Sequence, residues 1–171
     1  KSVTEDDPEL VDAGVNVGHF AEGLQYKFIK IVREPIEITK DEDWEPLEVP
    51  KGEVGELLVA GEHVCRAYYN NPEAFKKSKI KDHNDVVWHR TGDLGRMDET
   101  GYLWIVGRVH NVIERKGQYL FPVQAEVIMK RQDYCRLAAY MGVVDEELGE
   151  KTVCVIAPKD NAEISNKELC A

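Results

Sequence analysis

The segment Val87–Arg108 constrains the fold of this chain more than any other stretch. Val86–His89 and Tyr102–Val106 are rich in β-branched and aromatic residues, which predicts two strands. Asp98–Gly101 predicts a hairpin turn between them, because its glycine adopts φ > 0 at no steric cost. Thr91–Asp93 predicts a tight turn at the end of the first strand. The segment therefore predicts strand, tight turn, hairpin and returning strand.

The residues before this segment predict a β-rich scaffold. Tyr26–Val32 alternates apolar and polar residues, and the apolar run Leu57–Val59 suits a buried strand. Residues 33–50 are polar and contain three prolines, which predicts a solvent-exposed excursion with a short edge strand at 36–39. Asn71 before Pro72 predicts the start of a short helix.

The pattern changes after Arg108, which predicts a boundary between two units near 108–110. Strands are expected at 111–114, 118–120, 136–144 and 151–157, and Pro122 is expected to open a helix between the second and third of them. Ser165 is a candidate cap for a last helix that has only just begun when the sequence stops. The second unit is therefore expected to be a truncated domain that starts in the order ββαβ.

Composition excludes several classes of partner. The 171 residues carry a formal net charge of −10, which repels phosphate backbones and anionic lipids, so neither nucleic acid nor a membrane surface is expected as a partner. No apolar run is long enough for a membrane span, and the first residues do not form a signal peptide. Four cysteines without Cys-x-x-Cys spacing predict free thiols in a reducing cytoplasm, with neither a disulfide framework nor a metal site: Cys65, Cys135, Cys154 and Cys170.

Asp93 and Arg108 are the residues best suited to bind a ligand. A carboxylate held beside a glycine at a strand end can accept hydrogen bonds from two vicinal hydroxyls, as on a ribose. An arginine at the end of the returning strand can reach a phosphate or ribose oxygen with its planar guanidinium. Taken singly, each has a simpler interpretation: Asp93 stabilises its own turn, and Arg108 makes a surface salt bridge.

Taken together, Thr91–Gly95, the hairpin through Gly101 and the pair Gly107-Arg108 resemble the adenylate-forming superfamily. This superfamily includes acyl-CoA synthetases, luciferases and the adenylation domains of peptide synthetases. Further family motifs occur in the expected order over nearly the whole chain: Val17-Gly18, Gly23–Val32, Gly52–Leu57, Gly61, Val64, Tyr69-Asn70, Pro72-Glu73, Asn111–Ile113, Gly117, Pro122, Glu126, Gly142-Val143 and Asp145–Glu150.

The resemblance implies an α+β, β-rich fold. Residues 1–108 would be the C-terminal part of the large AMP-binding domain, with a small distorted β-barrel-like subdomain. Residues 109–171 would be a partial mobile C-terminal domain, truncated within its ββαβ order. The chain would thus be a C-terminal fragment of a larger enzyme.

The resemblance also implies a two-step ligase that uses ATP with Mg²⁺. A carboxylate attacks the α-phosphate of ATP to give an acyl-adenylate and pyrophosphate, and the thiol of coenzyme A or of a carrier then takes the acyl group. The family pattern assigns Asp93 to the ribose hydroxyls and Arg108 to a nearby nucleotide contact. It places the domain hinge at His110 and the loop of the thiol step at Arg115, Lys116 and Gly117.

The sequence departs from the family pattern in two ways. His110 stands where the family usually has Asp or Lys, so its charge would vary near neutral pH if it had more than a backbone role. The family's phosphate loop and catalytic lysine have no counterpart in the 171 residues, so the chain carries no catalytic residue of its own. Without them little stabilisation of the departing pyrophosphate remains, and we expect the isolated chain to be inactive.

Three other interpretations stay open on the sequence alone. The chain could belong to a non-catalytic β-rich interaction domain, or to a nucleotide-binding module without ligase chemistry. His89-Arg90 before the Thr-Gly-Asp motif also resembles some acyl-chain ligases, including the β-lactone synthetases of the same superfamily. The acid substrate is not determined, because the family builds its acyl pocket mainly from residues N-terminal to these motifs.

Overall fold

The structure is a computed structural model, and it describes residues 14–160. Its contacts divide the chain into two compact units, residues 16–110 and a unit that includes residues 111–160. The division between them falls after His110. The predicted cap at Ser165 and the thiol of Cys170 lie outside the described residues.

The first unit contains a six-stranded sheet with the order β1-β6-β5-β3-β2, and β4 pairs with β5 outside this path. Its strands are β1 (Val15–Gly18), β2 (Gln25–Ile29), β3 (Gly55–Ala60), β4 (Lys79–Lys81), β5 (Val87–Met97) and β6 (Leu103–Arg108). The pairings of β2 with β3 and of β5 with β3, β4 and β6 are antiparallel. Among residues 14–160 the end strands β1 and β2 do not pair with each other, so the sheet is open.

Helix α1 (Pro72–Ser78) begins where the sequence predicts. The side chain of Asn71 caps it by accepting a hydrogen bond from the Ala74 amide at 3.1 Å, and proline occupies the first helical position. This arrangement satisfies one of the amides that a helix start leaves unpaired, while proline has no N–H to lose there.

A cluster of apolar side chains forms the core of the first unit. Its fully or nearly fully buried members are Ile29, Ile38, Trp44, Leu58, Ala60, Ile80 and Trp88. The rings of Trp44 and Trp88 meet edge to face with centroids 5.6 Å apart, and the Trp88 indole donates a 2.9 Å hydrogen bond to Asp82. The indole therefore contributes its apolar area to the core with its N–H satisfied.

The prediction that residues 33–50 form an exposed excursion with an edge strand is wrong in two respects. Residues 36–39 form no strand, and a short 3₁₀-helix follows at Asp41–Trp44. Ile38 and Trp44 are only 4% and 6% exposed. The few apolar residues of this polar stretch are thus used to cover the sheet, because burying a large apolar side chain stabilises a fold by about 1.5–3 kcal/mol.

The hairpin between β5 and β6 is confirmed. Gly101 has φ +88°, and the Asp98 amide donates to the Tyr102 carbonyl at 3.0 Å. The Asp98 carboxylate accepts hydrogen bonds from the indole of Trp104 at 2.8 Å and the hydroxyl of Thr100 at 2.7 Å. Desolvation raises the pKa of Asp98, but hydrogen bonds from Trp104, Thr100 and Tyr102 outweigh it and lower the pKa to about 2.

This lowered pKa predicts acid sensitivity of the hairpin. A carboxylate with a depressed folded-state pKa stabilises the fold above its unfolded pKa of about 4, and that contribution is lost as the pH falls toward about 2. We expect Asp98→Asn to lower the free energy of unfolding by about 1 kcal/mol at pH 7 and by much less at about pH 2.5. Denaturant unfolding of both proteins at the two pH values checks this, and an equal loss at both would contradict it.

The prediction of a tight turn at Thr91–Asp93 is wrong, because β5 runs without reversal from Val87 to Met97. The register pairs Leu58 with Arg90 and Glu56 with Leu94, so the three residues Thr91–Asp93 stand opposite Leu57 alone. Gly92 has φ +72°, which allows this irregularity without side-chain strain. The motif is therefore a bulge within one long strand.

The second unit contains a four-stranded sheet with the order β8-β7-β10-β9. Its elements are β7 (Ile113–Arg115), β8 (Gln118–Leu120), α2 (Pro122–Lys130), β9 (Cys135–Asp145) and β10 (Gly149–Pro158). The described order is ββαββ: all four strands expected from the sequence are present, although the order was given as ββαβ, and Pro122 opens the helix as predicted. Glu126 of α2 accepts a hydrogen bond from the Tyr140 amide at 3.1 Å, which joins the helix to β9.

Cys65, Cys135 and Cys154 are free thiols, as predicted. Across residues 14–160, the search for a helix with the length and apolar character of a membrane span found none.

Candidate functional site

The structure brings Asp93 and Arg108 together. They are paired residues of β5 and β6, and the Arg108 Nη1 atom lies 2.9 Å from the Asp93 Oδ1 atom. Their side chains remain 32% and 50% exposed, respectively. The two residues therefore form a salt bridge, which agrees with the simpler interpretation of Arg108. The salt bridge is also accessible to a ligand.

The Asp93 carboxylate keeps acceptor capacity beyond this salt bridge. The salt bridge joins the arginine to Oδ1. An ionised carboxylate offers about four lone-pair sites, of which the salt bridge uses a minority. Two hydroxyls on adjacent carbons can therefore hydrogen-bond this group without displacing Arg108.

Thr91, to which the sequence analysis assigned no role in the site, contacts both residues. Its hydroxyl accepts a hydrogen bond from the Asp93 amide at 3.0 Å and donates one to the Leu57 carbonyl at 2.9 Å. Its carbonyl accepts a 3.0 Å hydrogen bond from Arg108 Nη2. The available signal was its position two residues before Asp93, where a hydroxyl commonly bonds to the backbone.

A buried ion pair lies in the same strands. Arg90 Nη2 is 2.6 Å from Glu56 Oε2, and the two side chains are only 8% and 3% exposed, respectively. Arg90 also donates to the backbone carbonyls of Val32 and, at 3.1 Å, Glu34. Sequence reasoning missed this pair, although Glu56 within the otherwise apolar strand β3 was a signal that a buried charge had a partner.

The predicted hinge and thiol-step residues lie on exposed turns. His110 is in the 3₁₀ turn Val109–Asn111, at the end of the first unit. In the second unit, Arg115 is the exposed last residue of β7, and Lys116 and Gly117 form the exposed turn between β7 and β8. Lys116 and Gly117 have φ values of +51° and +74°, and the Lys116 amide donates to the Leu148 carbonyl at 2.9 Å.

Metal-ligating side chains do not cluster in the part of the chain that the structure describes: no group of three or more His, Cys, Asp or Glu is placed to hold an ion. The chemistry that residues 14–160 offer at Asp93 and Arg108 is recognition of hydroxyls and anionic oxygens.

Curated relatives of the chain are coenzyme A ligases. The chain is 34% identical over 125 residues to an acyl-CoA ligase of Aspergillus fumigatus, a match that covers 72% of this chain and 21% of the ligase. It is 31% identical over 127 residues to an oxalate–CoA ligase of Arabidopsis thaliana, covering 71% of this chain and 24% of that protein. The chain thus spans about a fifth to a quarter of the length of these relatives.

Solved structures of similar proteins cover both units. The amide bond synthetase McbA of Marinactinospora thermotolerans superposes with a TM-score of 0.73 at 25% identity, over 94% of this chain and 29% of that one. ATP-bound MatB of Rhodopseudomonas palustris superposes with a TM-score of 0.71 at 26% identity, over 90% of this chain and 27% of that one.

A comparison with models of protein families gave no match. The relatives, the solved structures and the motifs around Asp93 and Arg108 nevertheless agree. The chain belongs to the adenylate-forming superfamily of ligases.

Proposed function

We propose that this chain is part of an ATP-dependent acid–thiol ligase. In its first step the substrate carboxylate attacks the α-phosphate of ATP, forming the acyl–phosphate bond and releasing pyrophosphate. In the second step a thiol attacks the acyl carbon, forming a thioester and releasing AMP. The observation that carries the proposal is the accessible pair Asp93–Arg108, which presents a carboxylate and a guanidinium side by side in a family of nucleotide-using ligases.

In this proposal Asp93 accepts hydrogen bonds from both ribose hydroxyls, and Arg108 donates to a nearby nucleotide oxygen. The 2.9 Å salt bridge orients the carboxylate before the nucleotide arrives. Preorganised charged groups bind a polar ligand with less reorganisation than mobile ones. ATP would enter as its Mg²⁺ complex, so the ion arrives as part of the substrate.

The mobile parts of the proposed mechanism lie around and after His110. We infer that the backbone at His110 is the hinge about which the second unit rotates between the two steps. The division of the chain between His110 and Asn111 supports this assignment. Arg115, Lys116 and Gly117 would then form the loop that serves the thiol step, with coenzyme A or a carrier thiol as the acceptor.

The finer architecture and the location of the parent protein belong to the same proposal. The open six-stranded sheet would be part of a distorted β-barrel-like subdomain of the AMP-binding domain, with the boundary at 108/109. The free thiols of Cys65 and Cys154, which are exposed, favour a reducing compartment such as the cytoplasm.

The isolated 171-residue chain is expected to give no ATP–pyrophosphate exchange above a reaction without protein. The nucleotide contacts at Asp93 and Arg108 position the ribose, but the chain contains neither the phosphate loop nor the lysine that stabilise the departing pyrophosphate in this family. The measurement is exchange of labelled pyrophosphate into ATP over a panel of carboxylic acids, with the full-length protein as the positive control. Clear exchange by the isolated chain would contradict this expectation.

The same panel tests the function itself. Pyrophosphate release by the full-length protein with one class of acid, followed by thioester formation with coenzyme A, is the expected result. AMP binding without pyrophosphate release for any acid would instead favour a nucleotide-binding module, and absence of both would favour an interaction domain.

A further inference from the structure

We propose that Thr91 is a positioning residue that sets Asp93 and Arg108 for the nucleotide ribose, an inference that rests on the proposed function. Thr91 is the residue that hydrogen-bonds to both of them: its hydroxyl accepts from the Asp93 amide at 3.0 Å, and its carbonyl accepts from Arg108 Nη2 at 3.0 Å. One residue thus fixes the backbone under the carboxylate and the orientation of the guanidinium.

The need for such a residue follows from the bulge. Thr91–Asp93 stand opposite Leu57 alone, so the regular ladder between β3 and β5 is interrupted there. A backbone carbonyl that loses its ladder partner must find another donor, because an unpaired buried polar group is costly. The Thr91 hydroxyl supplies that donor to the Leu57 carbonyl at 2.9 Å.

The hydroxyl therefore has two roles at once. It ties the bulge to the central strand β3 through Leu57 and holds the amide of Asp93 through the same oxygen atom. Gly92 lies between them with φ +72°. Glycine restricts the backbone less than any other residue, so Gly92 does not by itself hold this conformation. Without the hydroxyl, the bulge loses its tie to β3, and only the pairing with Arg108 across β5 and β6 would orient Asp93.

The guanidinium of Arg108 is fixed from two sides. Nη1 lies 2.9 Å from the Asp93 carboxylate, and Nη2 donates to the Thr91 carbonyl. A planar guanidinium held at two nitrogens has a defined plane, and the remaining N–H groups point in set directions. A shift of the Thr91 backbone would therefore move both charged groups together.

The test compares AMP with 2′-deoxy-AMP as ligands of the full-length protein. A residue that acts only on stability weakens both nucleotides equally, whereas a residue that positions Asp93 changes their ratio of dissociation constants. Thr91→Val keeps the β-branched shape but removes the hydroxyl, and Thr91→Ser keeps the hydroxyl. Calorimetry gives both constants without knowledge of the acid substrate.

We expect Thr91→Val to reduce the preference for AMP over 2′-deoxy-AMP at least fivefold, Thr91→Ser to retain it, and Asp93→Ala to remove it. Thr100→Val is the matched control, because it also deletes a threonine hydroxyl that bonds locally, at 2.7 Å to Asp98, in the hairpin that follows. The ratio of its dissociation constants for AMP and 2′-deoxy-AMP should equal that of the unaltered protein. Unfolding midpoints of all variants establish that they are folded.

Two outcomes overturn the inference, and they are distinguishable. If Asp93→Ala removes the preference and Thr91→Val retains it, the positioning role is wrong while the ribose assignment of Asp93 stands. If Asp93→Ala retains the preference, the ribose assignment fails and the role of Thr91 fails with it. Loss of the preference in Thr91→Ser as well would assign the effect to the methyl group and would also overturn the role of the hydroxyl.

Discussion

Asp93→Ala in the full-length protein is expected to raise the dissociation constant for AMP about 100-fold. Each hydrogen bond to a charged group is worth about 1.5–3 kcal/mol, and the proposed ribose contact has two of them. Asp93→Ala removes both, and at the lower value this corresponds to roughly 3 kcal/mol, or about two orders of magnitude. Calorimetric titration with AMP measures the change directly.

The control for this variant is Asp85→Asn. Asp85 also forms a salt bridge, 2.7 Å from Lys81 of β4, but its side chain is 82% exposed and it lies in the turn before β5. Its φ of +62° is a conformation that asparagine tolerates. We expect the AMP constant of this variant to be unchanged. If Asp93→Ala behaved like Asp85→Asn, Asp93 would be no more than a partner of Arg108.

Glu56→Ala is expected to destabilise the protein by about 3–5 kcal/mol. The carboxylate is 3% exposed and accepts hydrogen bonds from both Nε and Nη2 of Arg90. Its removal leaves the Arg90 charge buried and unpaired in a poorly solvating interior. The free energy of unfolding in urea measures the effect.

The net contribution of the Glu56–Arg90 ion pair to stability is smaller than the loss expected for Glu56→Ala. Replacing both Glu56 and Arg90 with methionine removes both charges, and we expect a smaller loss than for Glu56→Ala alone. Some loss remains, because the carbonyls of Val32 and Glu34 lose the donors that Arg90 provides. A loss below about 1 kcal/mol for Glu56→Ala, the value typical of exposed pairs, would show that water reaches the site.

The Asp93 and Glu56 predictions distinguish an effect on nucleotide binding from an effect on stability at two positions on the neighbouring strands β5 and β3. Asp93 is partly exposed and pairs with Arg108 across β5 and β6, so its loss should affect the ligand more than the fold. Glu56 is buried beside Leu57, whose carbonyl anchors Thr91. The loss of the Glu56 carboxylate should lower the stability of the fold and should affect nucleotide binding only indirectly, through β3.

Local features of the structure were predictable from the sequence because they depend on neighbouring residues. The hairpin at Asp98–Gly101 follows from a glycine with φ > 0, and helix α1 follows from Asn71 and Pro72. Free thiols followed from cysteine spacing. In each of these cases the residues that decide the conformation lie within a few positions of one another, or the spacing itself carries the signal.

The features that were missed depend on residues distant in the chain. Glu56 and Arg90 are 34 positions apart, as are Leu57 and Thr91. The burial of Trp44 depends on its contact with Trp88. Such contacts exist only once β3 and β5 have a register, and a register is set by the whole sheet and not by either strand.

The motif around Asp93 shows both contributions. The sequence by itself determined the family, the two polar residues Asp93 and Arg108, and the hairpin that brings β6 back along β5. Only the tertiary structure decided that Thr91–Asp93 form a bulge within one strand, that Asp93 and Arg108 form a 2.9 Å ion pair, and that the Thr91 hydroxyl joins this pair to Leu57. The physical reason is that a glycine permits several backbone conformations, and the hydrogen bonds to β3 and β6 select one of them.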